Sequence, residues 1–152
     1  MRKRQTQVAE KEFDQQVLAV RRVVRVVRGG RRFSFSAAVA IGNKRGKVGF
    51  GLGKAGEVAL AVEKAVRDAK KHLLELKLGD GKSIPHEVLA KYGGSRVLLK
   101  PAPGRGVVAG SAARPILTLA GLSDVMVKFL SRGKNKINNA RVVMKALAEL
   151  KQ

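Results

Sequence analysis

The chain of 152 residues contains 32 Lys and Arg residues and 11 Asp and Glu residues, which gives a net charge of +21. Because 45% of the residues are hydrophobic, the composition excludes a disordered basic tail and predicts a folded protein whose partner is a polyanion, most simply the phosphate backbone of a nucleic acid. The absence of cysteine excludes disulfides, thiol catalysis and Cys-ligated zinc.

The first predicted elements are two strands that meet at a basic turn. Residues 1–12 are polar, and we expect a flexible arm there. The density of β-branched residues predicts a strand over about Leu18–Val27, although the spacing of its valines also fits a helix. Arg28–Arg31 contains two glycines and indicates a turn, and alternating apolar residues predict a second strand over 32–41.

A third strand and a helix complete the first predicted unit. Gly42–Gly46 contains Gly and Asn, which tolerate a positive φ, and predicts a tight connection to a strand over Lys47–Gly53. Glu57 suits the first turn of the helix that follows, and Glu63 and Arg67 have the spacing of an ion pair. The apolar stripe of this helix consists of Val58, Ala61, Val62, Ala65, Val66 and Ala69. The first unit is therefore predicted to be β-β-β-α.

A second predicted unit fills the rest of the chain. Leu73–Leu78 is predicted to be new strand material, and the second unit runs on from the hairpin turn predicted at Gly79–Gly81. Further strands are predicted over Arg96–Lys100 and Asp124–Leu130, and Gly104–Gly110 is a basic, glycine-rich loop between them.

Two helices are predicted in this second unit. The first has Ser111 as its N-cap, Pro115 in its first turn and Gly121 directly after its end. The second is expected to be capped by Asn138 or Asn139. The apolar stripe of the final helix consists of Val142, Val143, Ala146, Leu147 and Leu150.

Basic residues are concentrated where acidic residues are missing. No Asp or Glu occurs between Asp14 and Glu57, and two more acid-free stretches precede and follow Asp124. We predict RNA contacts at basic, glycine and neighbouring positions of these stretches: Arg21, Arg22, Arg25, Arg28, Gly29, Gly30, Arg31, Arg32, Phe33, Lys44, Arg45, Lys47, Gly51, Gly53, Lys54, Lys100, Arg105, Arg132, Lys134, Asn135 and Lys136.

Among these positions, the turn at Arg28–Arg32 carries the most weight. Its two glycines permit close approach, and its arginines can form paired hydrogen bonds with phosphate oxygens. A solvated loop is the alternative for this turn. Arg105 and the Arg132–Lys136 cluster give a weaker form of the same signal, and for them a protein interface or an exposed loop is equally open.

The segment Gly51–Gly56 matches G-x-G-x-x-G, the fingerprint of dinucleotide-binding folds. That site needs a buried parallel strand before the glycines, whereas Arg31–Phe50 has the pattern of an antiparallel hairpin. The match to a Walker A loop fails at Ala55, and a KH-type G-x-x-G joins two helices, which this segment does not. Alternate glycines let a sheet approach another backbone closely, and we predict that this backbone is RNA.

Catalytic, metal and membrane functions find no support in the sequence. His72 and His86 are the only histidines, and no carboxylate pair or nucleophile motif accompanies them. We expect no cofactor and no small-molecule substrate. No apolar run reaches the roughly 20 residues of a membrane helix, and the polar start lacks a signal core, so an intracellular, soluble protein is expected.

The chain resembles bacterial small-subunit ribosomal protein five, the S-five family, along residues 13–150. The resemblance rests on five segments in the same order: Val-Arg-Gly-Gly-Arg-Arg-Phe-Ser-Phe at 27–35, Gly-Lys-Val-Gly-Phe-Gly-Leu-Gly-Lys-Ala at 46–55, Gly-Ser-Arg-Val-Leu-Leu-Lys-Pro-Ala at 94–102, Gly-Val-Val-Ala-Gly-Ser-Ala-Ala-Arg at 106–114 and Leu-Ala-Gly-Leu-Ser-Asp-Val at 119–125. Together these segments are specific to the family, although each one alone is weak.

The resemblance implies an α+β fold of two small domains. Residues 13–76 are expected to form a β-β-β-α domain like a double-stranded-RNA-binding domain, and residues 77–152 a β-α-β-type domain with a left-handed crossover. It also implies small-subunit ribosomal RNA and small-subunit proteins four and eight as partners, a position near the mRNA entrance, and a role in decoding accuracy. By the same resemblance, Gly104, Arg105, Gly106 and Arg114 face protein four.

Two departures from the family pattern limit these expectations. Many members carry a tail beyond the position matching Gln152, so the contacts of that tail are not expected here. Val24 and Arg25 lie in a segment that varies within the family, so spectinomycin sensitivity is not predicted. The sequence predicts a structural ribosomal protein of the cytoplasm that binds RNA and performs no chemistry. A free-standing module that binds or packages nucleic acid is the alternative.

Overall fold

The computed structural model describes residues 13–78, 82–110 and 112–150, and in these residues the chain forms two four-stranded sheets and three helices. In chain order the elements are β1 (Asp14–Val27), β2 (Gly30–Gly42), β3 (Lys47–Ala55), α1 (Val58–Lys71), β4 (Leu73–Glu75), β5 (Val88–Tyr92), β6 (Ser95–Pro101), β7 (Val107–Val108), α2 (Ala113–Ala120), β8 (Val125–Phe129) and α3 (Lys136–Ala148). The predicted arm at 1–12, the predicted turn at Gly79–Gly81 and the predicted cap Ser111 lie outside the described residues.

The first sheet has the strand order β1-β2-β3-β4 and is antiparallel throughout. The three strands predicted for the first unit are confirmed, but β1 begins at Asp14 because its pairing continues through an irregularity near Leu18 until Asp14 lies opposite Gly42. Part of the strand material predicted over Leu73–Leu78 belongs to the first sheet. Leu73–Glu75 pairs with β3 and completes the first sheet.

Helix α1 packs across β2 and β3 through small side chains. Its buried residues are Ala61, Ala65 and Ala69, which confirm the centre of the predicted stripe. Glu57 is the N-cap residue of this helix and lies just before its first turn. The predicted pair of Glu63 and Arg67 forms, with 3.9 Å between the carboxylate and the guanidinium group. Because alanine side chains are short, the helix backbone lies close to the sheet.

The second sheet has the strand order β5-β6-β8-β7. Strands β7 and β8 are parallel and are linked through α2, so they form the expected β-α-β unit. The predicted strands near 96–100 and 124–130 are confirmed, and Gly121 ends α2 with a φ of 86°. Strand β5 (Val88–Tyr92) was not predicted, because its two buried residues, Val88 and Ala90, give too short an alternation.

The final helix begins earlier than the sequence indicates. Its N-cap is Asn135, whose side-chain oxygen accepts a hydrogen bond from the backbone N–H of Ile137 at 3.2 Å. The prediction that Asn138 or Asn139 caps this helix is therefore wrong, and Asn139 is buried inside it. The predicted apolar stripe is confirmed, since all five of its residues are buried.

The two units share one core, with α1, the first sheet, the α2–α3 helices and the second sheet stacked in that order. In β2, Val39 and Ile41 belong to the cluster under α1, while Ala38 and Ala40 belong to the cluster that continues into the second unit. Both faces of this part of β2 are therefore covered. Among the described helices, none combines the length and apolar composition needed to cross a membrane.

Candidate nucleic-acid interface

The hairpin of β1 and β2 extends beyond the rest of the first sheet as a two-stranded ribbon, defined as residues 21–36. Strand β3 pairs only with its base, at Phe35 and Ser36. Beyond that base, β1 and β2 pair only with each other, up to Val27 and Gly30 at the turn. At about 3.3 Å per residue, the ribbon is about 20 Å long.

The ribbon carries arginines on both of its faces. In an antiparallel pair, directly opposite residues share a face, and successive residues along a strand alternate between faces. The register assigns Arg21, Arg25 and Arg32 to one face, Arg22 and Arg31 to the other, and Arg28 to the turn. All six are exposed, and the ribbon contains no acidic residue. The ribbon can therefore bind anions on two sides.

One arginine of the ribbon is held in place by an aromatic ring. The guanidinium carbon of Arg22 lies 3.7 Å from the centre of the Phe33 ring, within the range of a cation–π contact. Phe33 is 45% exposed and shares its face with Val24 and Val26. Because Arg22 covers one side of this ring, Phe33 presents an arginine–aromatic pair to any partner and not a bare ring.

The ribbon ends in a two-residue turn formed by Arg28 and Gly29, and Gly30 begins β2 with a φ of 141°. A side chain at Gly29 or Gly30 would meet no atom within 4 Å. Packing within the protein therefore does not require either glycine. Gly30 adopts a positive φ that favours glycine. The close approach of a partner at Gly29 stays a prediction.

Three other predicted RNA contacts lie at the opposite end of the first sheet, in or beside the turn between β2 and β3. Lys44, with a φ of 58°, pairs with Asp14 at 2.6 Å, and Lys47 pairs with Glu75 at 2.7 Å. Arg45 is exposed in the same turn. Because β2 spans about 40 Å from the ribbon tip to this turn, these cations do not form one surface with the ribbon.

The prediction that Gly51 and Gly53 contact RNA is wrong. Both glycines are buried beneath α1, and a Cβ atom at either position would lie under 3.0 Å from backbone atoms of α1, those of Ala61, Ala65 and Ala69. The close backbone that the alternate glycines predicted exists, but it belongs to the protein's own helix. The same arrangement removes the dinucleotide interpretation, since β3 is antiparallel to both of its neighbours.

Two predicted lysines differ in their surroundings. Lys54 is exposed at the base of the ribbon, opposite Ser36. Lys100 lies on β6 and pairs with Glu87 at 3.1 Å. Lys54 therefore extends the ribbon surface, whereas Lys100 belongs to the second sheet.

The residues predicted to face a neighbouring protein lie around α2. Gly104 and Gly106 have φ values of 74° and 71°, and the N–H of Gly106 donates to a carboxylate oxygen of Asp124 at 3.1 Å. This loop therefore holds Arg105 in an exposed position. Arg114 is exposed in the first turn of α2.

The residues of the Arg132–Lys136 cluster are exposed, and a buried side chain, Asn139, holds their backbone at Gly133. Asn139 accepts a hydrogen bond from the Ser95 hydroxyl at 2.8 Å and donates one to the carbonyl oxygen of Gly133 at 3.1 Å. Sequence reasoning missed this positioning role of Asn139. Its place within the apolar stripe of α3 was the available signal, because a polar residue there needs a buried partner. Asn135 caps α3, so its side-chain oxygen is already engaged.

The described residues contain no group of three or more His, Asp or Glu side chains that could hold a metal ion. His72 is exposed at the end of α1 and lies beside Asp68, and His86 is half-buried before β5. The interface is built from cations and backbone, and its geometry suits electrostatic binding.

The family model "Ribosomal protein S5, N-terminal domain" matches residues 13–77, and "Ribosomal protein S5, C-terminal domain" matches residues 90–152. The small ribosomal subunit protein uS5 of Mesomycoplasma hyopneumoniae is 48% identical over 141 residues, which cover 92% of this chain and 65% of that protein. The uS5 of Persephonella marina is 48% identical, covering 94% of this chain and 74% of the relative. The uS5 of Nostoc punctiforme is 46% identical, covering 99% and 87%. The chain thus spans slightly less than two thirds of the Mesomycoplasma relative's length.

Proposed function

The chain belongs to the ribosomal protein S5 family, and on this premise we propose that it is a structural constituent of the small ribosomal subunit that binds ribosomal RNA through the β1–β2 ribbon. The observation that carries this proposal is a projecting ribbon with six exposed arginines and no acidic residue. The ribbon binds RNA electrostatically, because each arginine that neutralises a phosphate releases condensed counterions from the RNA.

The ribbon inserts between two RNA segments. Its arginines occupy both faces and the turn, so one flat RNA surface would leave at least two of them without a phosphate. Guanidinium groups hydrogen-bond phosphate oxygens in pairs, which fixes the orientation of the ribbon as well as its affinity. A folded ribbon held on both sides stiffens the RNA around it.

The two units have different tasks in this proposal. The first, residues 13–76, supplies the ribbon, and its boundary agrees with β4 completing the first sheet at Glu75. The second, residues 77–152, presents Gly104–Gly106 and Arg114 to a neighbouring small-subunit protein. By the resemblance, proteins four and eight are the neighbours, mRNA passes close by, and the assembly supports decoding accuracy in the cytoplasmic ribosome.

The test is a salt titration of binding to naked small-subunit ribosomal RNA, with an unrelated RNA duplex of equal length as competitor. If all six ribbon arginines contact phosphates, the slope of log affinity against log salt is about −5. The double variant Arg25→Gln/Arg32→Gln should lower that slope by about 2. The matched control is Arg67→Gln/Lys71→Gln on α1, which removes the same charge from exposed positions.

Three outcomes would count against the proposal. A flat salt response removes the electrostatic mechanism. Equal affinity for the unrelated duplex favours a free-standing module that binds double-stranded RNA. A protein that washes off small subunits at moderate salt, while other constituents stay bound, is not a structural constituent.

A further inference from the structure

The outer face of the second sheet has no covering layer among the described residues. Helix α3 packs on the inner face of β5 and β6, where Val97 and Leu99 are fully buried. The outward residues of the same strands are exposed or half-buried, and Leu89 is 62% exposed. Because an antiparallel sheet can present one face to water, the charges on this outer face decide whether it binds a partner.

The register places four cations on this outer face. Lys91 lies directly opposite Arg96, and Leu89, Leu98 and Lys128 form the next row across three strands. The following row contains Lys100 and Met126. Glu87 pairs with Lys100, and the nearby Asp124 accepts from the Gly106 N–H, so both carboxylates of this region are engaged at one end.

The opposite end of the face has cations without carboxylates. Lys91, Arg96 and Lys128 take part in none of the ion pairs between described residues. Lys91 and Arg96 have like charges at directly opposed positions, an arrangement that destabilises a strand pair unless an anion lies between them. This end is therefore stabilised by a negatively charged partner from outside the chain.

The same end continues into the basic loop that follows β8. The backbone N–H of Arg96 donates to the Ser131 hydroxyl at 3.2 Å, and the N–H of Leu130 donates to the Arg96 carbonyl at 3.0 Å. The exposed Arg132 and Lys134 follow directly. Sheet face and loop are one basic surface.

We propose that this surface, centred on Lys91, Arg96 and Lys128, is a second RNA-binding site that takes a phosphate backbone. The inference rests on the proposed function and adds a separate contact to it. Its outward side chains in β5, β6 and β8 include no aromatic ring, so bases are not stacked there, and the lysines act on phosphates as point charges.

This site lies on the far side of the α2–α3 layer from the ribbon. A helix layer is about 10 Å thick, so one RNA segment that occupies the ribbon does not reach the outer face without wrapping the protein. The protein then bridges two RNA segments, which is a stronger constraint on RNA folding than one contact.

The test compares three triple variants that each remove three charges. The site variant is Lys91→Gln/Arg96→Gln/Lys128→Gln, the ribbon variant is Arg22→Gln/Arg25→Gln/Arg32→Gln, and the control is Arg67→Gln/Lys71→Gln/Lys77→Gln. Circular dichroism and thermal unfolding verify that each variant is folded. Salt titrations and hydroxyl-radical footprints are then measured on naked small-subunit ribosomal RNA.

We expect the site variant to lower the salt slope by about 2 to 3 and to lose a footprint distinct from the one lost by the ribbon variant. A site variant that behaves like the control, while the ribbon variant weakens, overturns this inference and leaves the proposed function intact. Loss of a neighbouring protein from assembled subunits, with unchanged binding to naked RNA, also overturns it, because the occupant is then a protein. A wild-type chain that binds no ribosomal RNA defeats the proposed function itself.

Discussion

Arg25 and Arg32 lie directly opposite each other on one face of the ribbon. Both side chains are exposed, and neither takes part in an ion pair between described residues. Like charges at directly opposed positions destabilise a strand pair by about 0.2–1 kcal/mol. The free ribbon is therefore less stable than its strand pairing alone would make it, and a bound phosphate converts that repulsion into attraction.

Replacing one of the two arginines should stabilise the ribbon while weakening RNA binding. In Arg32→Gln the repulsion is gone, so we expect amide hydrogen exchange across the ribbon to slow by up to about fivefold at low salt. High salt should shrink the difference, since it screens the wild-type repulsion. Arg67→Gln on α1 removes the same charge and should leave ribbon exchange unchanged. Unchanged or faster exchange in Arg32→Gln would show that the pair does not repel.

Alanine substitutions at the buried glycines of β3 should destabilise the fold without touching RNA. In Gly53→Ala the new Cβ meets the Ala61 carbonyl oxygen and the Ala65 nitrogen, which are backbone atoms that cannot rotate away. Overpacking of this kind costs about 1–3 kcal/mol or more, and the urea midpoint should fall accordingly. Gly56→Ala is the control, because a Cβ there meets nothing within 4 Å. Equal midpoints for the two variants would contradict the close packing of α1.

These glycines also show how far sequence reasoning reaches. Alternation and β-branched density predicted the strands of the first sheet, and alternate glycines predicted a close backbone, because these signals are local along the chain. Which backbone lies over Gly51 and Gly53 depends on where α1 folds back, and that choice is made by contacts distant in sequence. The acid-free stretch between Asp14 and Glu57 is likewise continuous along the chain, whereas β2 separates its two ends in space.

The pairing of short strands could not be predicted either, because it also depends on contacts distant in sequence. Leu73–Glu75 has too few residues to reveal its partner, and only its register with β3 assigns it to the first sheet. Asn139 looked like a helix cap because Asn favours caps, yet it accepts a buried hydrogen bond from Ser95, which is distant in sequence. The resemblance supplied the two-unit organisation, and the structure supplied the shared core between the units.

The two units should unfold in one transition. The turn between β2 and β3 is hydrogen-bonded to the end of α2, through Lys44 N–H to Leu119 O and Gly46 N–H to Ala120 O, both at 2.9 Å. We expect urea unfolding followed by circular dichroism to coincide with unfolding followed by the fluorescence of Tyr92, the only tyrosine. Gly42→Ala should lower the midpoint, because its Cβ would meet the backbone of Leu119. Two separated transitions in the wild type would contradict a shared core.

Removing the buried amide of Asn139 should loosen the basic cluster at Arg132–Lys136 before it unfolds the protein. Asn139→Leu leaves the Ser95 hydroxyl and the Gly133 carbonyl without their partner, and a buried unsatisfied group costs about 1–3 kcal/mol. Hydrogen exchange at residues 131–135 should therefore rise more than exchange in the ribbon, and ribosomal RNA affinity should fall with little change in salt slope, because every cation remains.

Two further variants separate this effect from a general loss of stability. Ser95→Ala in the Asn139→Leu background removes the stranded hydroxyl and should restore part of the unfolding free energy without restoring the order of the loop, since the Gly133 carbonyl stays unpaired. Asn138→Leu alters the adjacent half-buried position, for which no side-chain hydrogen bond is seen among the described residues, and should leave loop exchange unchanged. If Asn138→Leu and Asn139→Leu raise loop exchange equally, the loop is not held through the Gly133 bond, because only Asn139 makes that contact.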